Sequence, residues 1–285
     1  MGRESTGGDE GCAESPRASR AGSAILAAVR SYQAEAILLE VVDLQEADRI
    51  VTFLTREHGK KRGAARGAKR KFSRFAGELQ PLAKARIGWF EKEGRELVRI
   101  SSVELVRVPK RIHAELEGIL FGAYVGESVA TFAPENEPAE KVYRLLDAAL
   151  EALESGLDRA LVARYFESWL LRLAGIFPAP EGCPQCGRPL AEGATLAGSG
   201  EALLCRACAG ENVGALPVSS AAVEFWRRMG RENLARMSEH PPEEATLAEV
   251  EEVAGRIRRH FLQGEIRSYQ VLRRTLARLE DAKTR

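Results

Sequence analysis

The chain has 285 residues, of which 45% are hydrophobic and 29% are charged. These proportions exclude a wholly disordered chain, a collagen-like repeat and a miniprotein held together by disulfides. At roughly 100–200 residues per domain, the length predicts two domains. The formal net charge is only +1, which on its own gives no reason to expect a polyanionic partner.

The first residues of the chain are polar. Residues 1–23 are rich in Gly, Ser, Arg and Glu, so they bury too little surface to offset the entropy of ordering, and we predict a disordered tail over residues 1–30. The sequence shows neither the apolar stretch of a secretory signal nor the roughly 20 apolar residues of a membrane span. We therefore expect a cytosolic protein with reduced cysteines and no membrane association.

The next part of the chain has the pattern of β-structure. Its clearest apolar or alternating runs are Ala34–Val42, Arg49–Thr55, Leu82–Trp89 and Arg95–Val106. The last run has a phase slip near Ser101 and Ser102, and Glu91–Gly94 is typical of a hairpin turn. Five short strands in about 75 residues predict a small closed barrel, which we place at residues 31–108.

After Pro109 the period of the apolar residues changes from two to that of a helix. One such stretch contains Leu116, Ile119, Leu120, Ala123 and Tyr124, and similar stretches recur almost to the end of the chain. The predicted fold is therefore α+β: a five-stranded barrel followed by a helical domain at residues 109–285, into which a four-cysteine segment is inserted.

That segment has the spacing C-x2-C-x18-C-x2-C, formed by Cys183, Cys186, Cys205 and Cys208. Two pairs of this spacing close a tetrahedral shell of four sulfurs, which favours one structural zinc per chain and leaves no open position for chemistry. Iron, a pair of disulfides and four free thiols are the alternatives. The insert, residues 183–208, is too short for a core of its own, so we expect the metal to hold it together.

The charge is unevenly distributed along the chain. Between Arg56 and Arg74 the sequence has nine basic residues against Glu57 alone, so this window carries +8 and the rest of the chain −7. A charge run is usually a solvated surface, but such surfaces mix signs and this one barely does. Because small barrels often bind single strands in a basic groove, we interpret the run as a sequence-independent nucleic-acid site.

Two further sets of residues near this run are weaker candidates for a role in the site. Phe72, Phe75 and Trp89 have the ring chemistry to stack on bases, although such residues more often belong to a core. Asp43, Glu46 and Asp48 are close together in sequence and give a weak signal for a metal-dependent nuclease, but their position between strands is typical of a turn.

Several segments resemble the RecO family of bacterial DNA repair proteins. The resemblance extends over about residues 30–280 and is most specific in the basic, glycine-punctuated run. The matching segments are Tyr32–Val42 with Asp48–Ile50, His58–Ala68 with Ser73–Phe75, Leu79–Pro81 and Ser268–Leu272.

The resemblance implies an N-terminal OB-fold, a helical domain with the zinc module, and a non-enzymatic recombination mediator in the cytoplasm, associated with the nucleoid. Such a mediator binds single- and double-stranded DNA, anneals complementary strands, and works with RecR, SSB and in some cases RecF to help RecA load. We predict DNA contacts at Arg56, Lys60, Lys61, Arg62, Arg66, Lys69, Arg70, Lys71, Arg74, Lys84 and Arg86. The alternatives are an OB-fold and zinc protein that binds RNA or acts in transcription, and the nuclease.

Overall fold

The computed structural model of the chain describes residues 29–210 and 214–283. Most of the predicted tail, residues 1–30, lies outside the described residues, while Val29 and Arg30 already belong to the first strand. Within the described ranges, no helix has the length and apolar character needed to cross a membrane.

The N-terminal part is a closed five-stranded barrel, as predicted. Its strands are β1 (Val29–Leu44), β2 (Asp48–Thr55), β3 (Gly59–Ala65), β4 (Lys84–Lys92) and β5 (Val98–Arg107). They close in the order β1-β2-β3-β5-β4, with β3 and β5 parallel and the other neighbours antiparallel. This arrangement is an OB-fold.

The alternation of side chains explains why the barrel closes. Inward positions such as Phe53, Ile87 and Trp89 are fully buried, as expected for every second residue of a strand. Gly88 pairs with Ser102 and Trp89 with Ile100, so Ser101 is an extra residue in β5. This β-bulge confirms the predicted phase slip.

The remaining elements form a helical domain that contains a small sheet. Its helices are α1 (Lys110–Ala114), α2 (Leu116–Phe132), α3 (Glu140–Ser155), α4 (Arg159–Leu173), α5 (Arg206–Ala209), α6 (Ser220–Met229), α7 (Leu234–Glu239), α8 (Glu244–Leu262) and α9 (Arg267–Lys283). The sheet strands are β6 (Ala194–Leu196), β7 (Leu203–Leu204) and β8 (Leu216–Val218), in the order β7-β6-β8. A left-handed residue, Gly156, ends α3, which is a usual helix terminus.

The barrel is packed directly against the helical domain. Helix α2 approaches β1 so closely that a Cβ atom on Gly126 would lie 2.6 Å from the carbonyl oxygen of Leu39. Ion pairs add to this contact, because Asp147 of α3 lies 2.7 Å from Lys84 of β4 and 2.5 Å from Arg107 of β5. The two parts of the chain therefore share one packed boundary.

The segment between α2 and α3 holds the β2–β3 turn. The backbone amide of Lys60 donates to the carbonyl oxygen of Pro134 at 2.9 Å, and that of Ala139 donates to the carbonyl oxygen of Arg56 at 2.8 Å. Gly59 has a φ of +61°, and a Cβ atom there would overlap the carbonyl oxygen of Glu137. Only glycine fits this position, because both the conformation and the space require it.

The four-cysteine segment is anchored by more than its sulfurs. Leu190, Leu196 and Leu203 are buried in the same hydrophobic cluster as the helices of the domain. The expectation that a metal alone holds the insert together is therefore too strong, because the helices supply the apolar surface that a segment of this length lacks.

A buried polar network joins three helices of the domain. The hydroxyl of Tyr124 donates to Glu167 at 2.8 Å and accepts from Arg258 at 2.7 Å, and Arg164 lies 3.0 Å from the same carboxylate. Burial raises the pKa of Glu167, although both arginines oppose this shift. Because these groups are on α2, α4 and α8 and are bonded to one another, they link the three helices.

Candidate nucleic-acid interface and metal centre

The predicted DNA-contact residues divide into two groups in the structure. Six of the eleven form ion pairs with carboxylates of the chain; these are Arg56, Lys60, Lys61, Lys69, Lys84 and Arg86. The other five, Arg62, Arg66, Arg70, Lys71 and Arg74, are exposed. This division decides which charges are available to a ligand.

The two lysines of β3 are held by the protein itself. Lys60 Nζ donates to the carbonyl oxygen of Ala130 at 2.5 Å and lies 3.1 Å from Glu135. Lys61 faces inward with 7% of its surface exposed, and its Nζ lies 3.1 Å from Glu91. Both charges are compensated, so neither lysine has the free charge of an exposed residue.

Arg56 and Lys84 lie at the boundary between the barrel and the helical domain. The guanidinium of Arg56 stacks 4.8 Å from the ring centroid of Tyr143, and Lys84 pairs with Asp147 at 2.7 Å. Burial and a hydrogen bond to Glu35 raise the pKa of Tyr143, so its hydroxyl stays protonated. These contacts give Arg56 and Lys84 a structural role at the boundary.

The other two paired cations are more accessible. Arg86 lies 3.1 Å from Glu104 on the exposed surface of the barrel. Lys69 lies 2.9 Å from Asp43, which also pairs with Arg49 at 3.2 Å. The pKa of Asp43 is lowered, chiefly by its hydrogen bond from Lys69.

Two of the three carboxylates that gave a weak nuclease signal, Asp43 and Asp48, position the β3–β4 loop. Asp48 accepts a hydrogen bond from the amide of Gly67 at 2.8 Å, and the amide of Lys69 donates to the carbonyl oxygen of Ala47 at 3.0 Å. With Asp43 paired to Lys69, the β1–β2 turn therefore holds the β3–β4 loop in place. This is the turn chemistry that the sequence favoured.

A large open cleft crosses the barrel next to this loop. Its volume is about 1210 Å³, and its walls come from both ends of β1, the β3–β4 loop and the β4–β5 loop. Its basic residues are Arg66, Arg70, Lys92, Arg95 and Arg99, and all five are exposed. None of them forms an ion pair with another residue that the structure describes.

A second hollow of about 360 Å³ continues this cleft. It contains Lys60, Lys61 and Arg62, and it shares Glu91, Arg95, Glu96 and Val98 with the larger one. The two hollows therefore form one groove, which we call the barrel cleft. The predicted basic run and the surface of the barrel meet in this groove, and its volume exceeds the roughly 300–1,000 Å³ of a small-ligand pocket.

Four basic or aromatic residues of the barrel cleft were not predicted from the sequence as DNA contacts: Phe90, Lys92, Arg95 and Arg99. The three basic residues alternate with Glu91, Glu93 and Glu96, so the segment has the mixed signs of an ordinary hairpin. The parallel pairing of Gly63 with Val98 brings this hairpin beside β3.

The aromatic candidates also divide. Phe75 and Trp89 are 2% and 0% exposed and belong to the barrel core, whereas Phe72 is 92% exposed in the β3–β4 loop. Phe90 was not a candidate, yet it is 39% exposed and lines the barrel cleft.

The four cysteines come together as their spacing predicts. Their sulfur atoms all lie within 4.8 Å of one another, and the sulfurs of Cys186 and Cys205 are 3.6 Å apart. A zinc ion with four bonds of about 2.3 Å places its sulfurs about 3.8 Å apart, so the arrangement fits such an ion. Gly187, with a φ of +72°, donates its amide to the carbonyl oxygen of Cys183 at 2.8 Å and closes the first knuckle.

The surroundings of the cysteines affect their protonation. Hydrogen bonding from the backbone of Cys205 is the main cause that lowers the pKa of Cys183 to about 6. The pKa of Cys208 is raised to about 12, chiefly by its hydrogen bond with Cys186. Four sulfurs this close repel one another as thiolates, and a divalent cation between them removes that repulsion.

Comparison with known families covers most of the chain. The family model for the N-terminal part of recombination protein O matches residues 29–109, and the model for its C-terminal part matches residues 113–270. The chain belongs to the RecO family. RecO-family membership places it in DNA repair and recombination, and the matched ranges include both the barrel and the four cysteines.

Individual RecO proteins are similar over comparable lengths. The chain is 33% identical over 206 residues to the DNA repair protein RecO of Anaeromyxobacter sp. (strain K), covering 72% of this chain and 81% of that protein. It is 36% identical to RecO of Geobacter sulfurreducens, with 68% and 78% coverage. RecO of Desulforudis audaxviator is 32% identical over 246 residues, which is 86% of this chain and 98% of that protein.

Proposed function

We propose that the chain is a recombination mediator that binds single- and double-stranded DNA in the barrel cleft and anneals complementary strands. The observation that carries this proposal is the set of five exposed cations that line the larger hollow of this groove and form no ion pair within the described part of the chain. In the cell, this activity helps RecA load onto DNA coated by SSB, together with RecR and, where present, RecF. The protein acts in the cytoplasm, at the nucleoid.

Electrostatics supplies the mechanism. Each cation that meets a phosphate releases counterions from the strand, and this release drives binding without reading the base sequence. Within the described residues, Arg66, Arg70, Lys92, Arg95 and Arg99 pair with no carboxylate, so they contact phosphates at little cost. If five phosphates are contacted, the log–log dependence of affinity on salt has a slope of about −3.5 on single strands.

Annealing requires a second strand to approach the first. Lys71 and Arg74 lie on the exposed loop beside the barrel cleft and extend the positive field past its edge. Because the bound strand is partly neutralised, it repels a complementary strand less strongly. Base pairing then supplies the free energy, so the proposed activity needs no nucleophile, no general base and no ATP.

The four cysteines hold one structural zinc in this proposal. Cys183, Cys186, Cys205 and Cys208 have the donor set and spacing that zinc prefers, and four sulfurs fill its coordination shell. A filled shell supplies cross-linking and no Lewis-acid chemistry. Its effect is to join the two knuckles against the helical core.

An annealing assay with SSB-coated complementary oligonucleotides and no ATP tests the proposal. The wild-type chain is expected to accelerate duplex formation and to leave both strands intact, and the variant Arg66→Ala/Arg70→Ala is expected to do so more slowly. A marked preference for RNA would instead favour an RNA-binding role, and strand scission would favour a nuclease.

A further inference from the structure

An aromatic side chain lies exposed among the cations of the barrel cleft. Phe90 follows the fully buried Trp89 on β4, so the alternation of the strand directs its ring outward. With 39% of its surface exposed, the ring contributes little to the core. A single exposed apolar side chain is common on a protein surface; what distinguishes Phe90 is its place in the lining of the barrel cleft.

The strand register defines what surrounds this ring. Phe90 is directly opposite Ser31 on β1 and Arg99 on β5, and residues opposite each other in a sheet share a face with Cβ atoms about 4.5–5.5 Å apart. Lys92 is two residues further along β4 on the same face, opposite Val29. The ring therefore has Arg99 of β5 on one side, Ser31 of β1 on the other, and Lys92 next to it on the same face of its own strand.

From this arrangement we infer that Phe90 is a stacking platform for an unpaired nucleobase of a single strand. The inference rests on the proposed function and adds a preference to it. Arg99 and Lys92 hold the phosphates next to the stacked base, while the open side toward Ser31 leaves room for the base. A duplex keeps its bases inside the helix, so it meets the cations of the barrel cleft but not the ring.

The substitution Phe90→Leu tests this inference because it keeps an apolar side chain and removes the ring. Because the variant loses the stacking of a base on an aromatic ring, its affinity for a short oligo(dT) should fall about five- to hundredfold. Affinity for a duplex of the same length, and the salt slope on both ligands, should not change, since no phosphate contact is lost. Phe90→Tyr keeps the ring and should bind as the wild type does.

An abasic oligonucleotide makes the test specific to the base. The wild-type chain should bind it more weakly than oligo(dT), and Phe90→Leu should bind the two equally. A matched control is Phe261→Leu, which makes the same change at a residue of α8 that is 54% exposed and outside the barrel cleft; its affinities should equal those of the wild type.

Two results would overturn the inference. One is that Phe90→Leu binds oligo(dT) as tightly as the wild type while the wild type still shows salt-dependent binding; this outcome leaves the proposed function intact. The other is an equal loss on the single strand and the duplex, which would make Phe90 a general contact. If the wild type binds neither ligand at any salt concentration, the proposed function fails as well.

Discussion

The unpaired cations of the barrel cleft should control how DNA binding depends on salt. The variant Arg66→Ala/Arg70→Ala removes two of the five that line its larger hollow, and both side chains are exposed, so the fold should tolerate the change. Neither residue forms an ion pair with another part of the chain that the structure describes, so no carboxylate loses its partner.

The expected size of the effect comes from the number of phosphates contacted. With five contacts, the slope of log affinity against log salt is about −3.5, so raising the salt from 50 to 200 mM weakens binding about 130-fold. With three contacts the slope falls to about −2.1, and the same change in salt weakens binding only about 18-fold. The variant should therefore bind more weakly at low salt and be less sensitive to salt.

Fluorescence anisotropy of a labelled oligo(dT), titrated at several salt concentrations, measures both slopes. Lys141→Ala/Arg144→Ala is the matched control, because it removes the same charge from exposed positions of α3, outside the barrel cleft. It should leave the slope near the wild-type value. The reasoning is refuted if the two double variants lower the slope equally, or if Arg66→Ala/Arg70→Ala leaves it unchanged.

The fold and the metal centre give three more predictions. Cys183→Ser should lose the proposed zinc ion and lower the thermal midpoint of the helical domain, as metal analysis and calorimetry would show. Asp147→Asn should lower the free energy of unfolding by about 1–3 kcal/mol in a urea titration, because the largely buried Lys84 loses its nearest carboxylate and keeps only Glu35, 3.6 Å away. Gly126→Ala should cost about 1–3 kcal/mol, because the new Cβ atom must displace the backbone of Leu39.

Each of these three has a control. Cys12→Ser, outside the four-cysteine group, should keep the metal. If metal analysis finds no zinc in the purified wild-type chain, the assignment of the four cysteines to zinc is wrong. Glu151→Gln removes the more exposed partner of Arg107 and should cost less than about 1 kcal/mol; an equal cost for Asp147→Asn would contradict the role given to burial. Ala123→Ser, on the exposed side of α2, should stay within about 0.5 kcal/mol of the wild type.

The sequence predicted the barrel well because its strands show their inward positions directly. Ala85 and Ile87 alternate with Lys84 and Arg86, and both are fully buried in the structure. The extra residue at Ser101 was visible as a break in the alternation. The cysteine spacing was equally informative, because two knuckles of this type have few other uses.

The sequence did not predict which basic side chains form ion pairs and which are exposed. Lys61 pairs with Glu91 and Lys60 with Glu135, residues 30 and 75 positions further along the chain. A count of charge in a window treats these lysines and Arg62 alike, although only Arg62 is exposed. Pairing between distant carboxylates and cations depends on the fold, and no local pattern reports it.

The location of the barrel cleft was hidden for a related reason. Arg95 and Arg99 reach the predicted basic run because β5 pairs in parallel with β3. That pairing joins two strands that are not neighbours in sequence, so the residues of β3 and β5 lie side by side only when the barrel closes. The DNA contacts predicted at all eleven sequence positions stay predictions, and the structure favours the exposed and unpaired ones for the first tests.

The clamped β2–β3 turn has a consequence for engineering and for evolution. Gly59 leaves no room for a side chain, and hydrogen bonds with the segment between α2 and α3 hold both sides of the turn, so an added residue there would break these contacts. The β4–β5 hairpin is different, because no atom of the described residues, chain neighbours apart, would lie within 4 Å of a Cβ atom on Gly94. Relatives should therefore vary in length at Gly94 and not at Gly59, and Gly94 is the position at which to insert a reporter that senses an arriving strand.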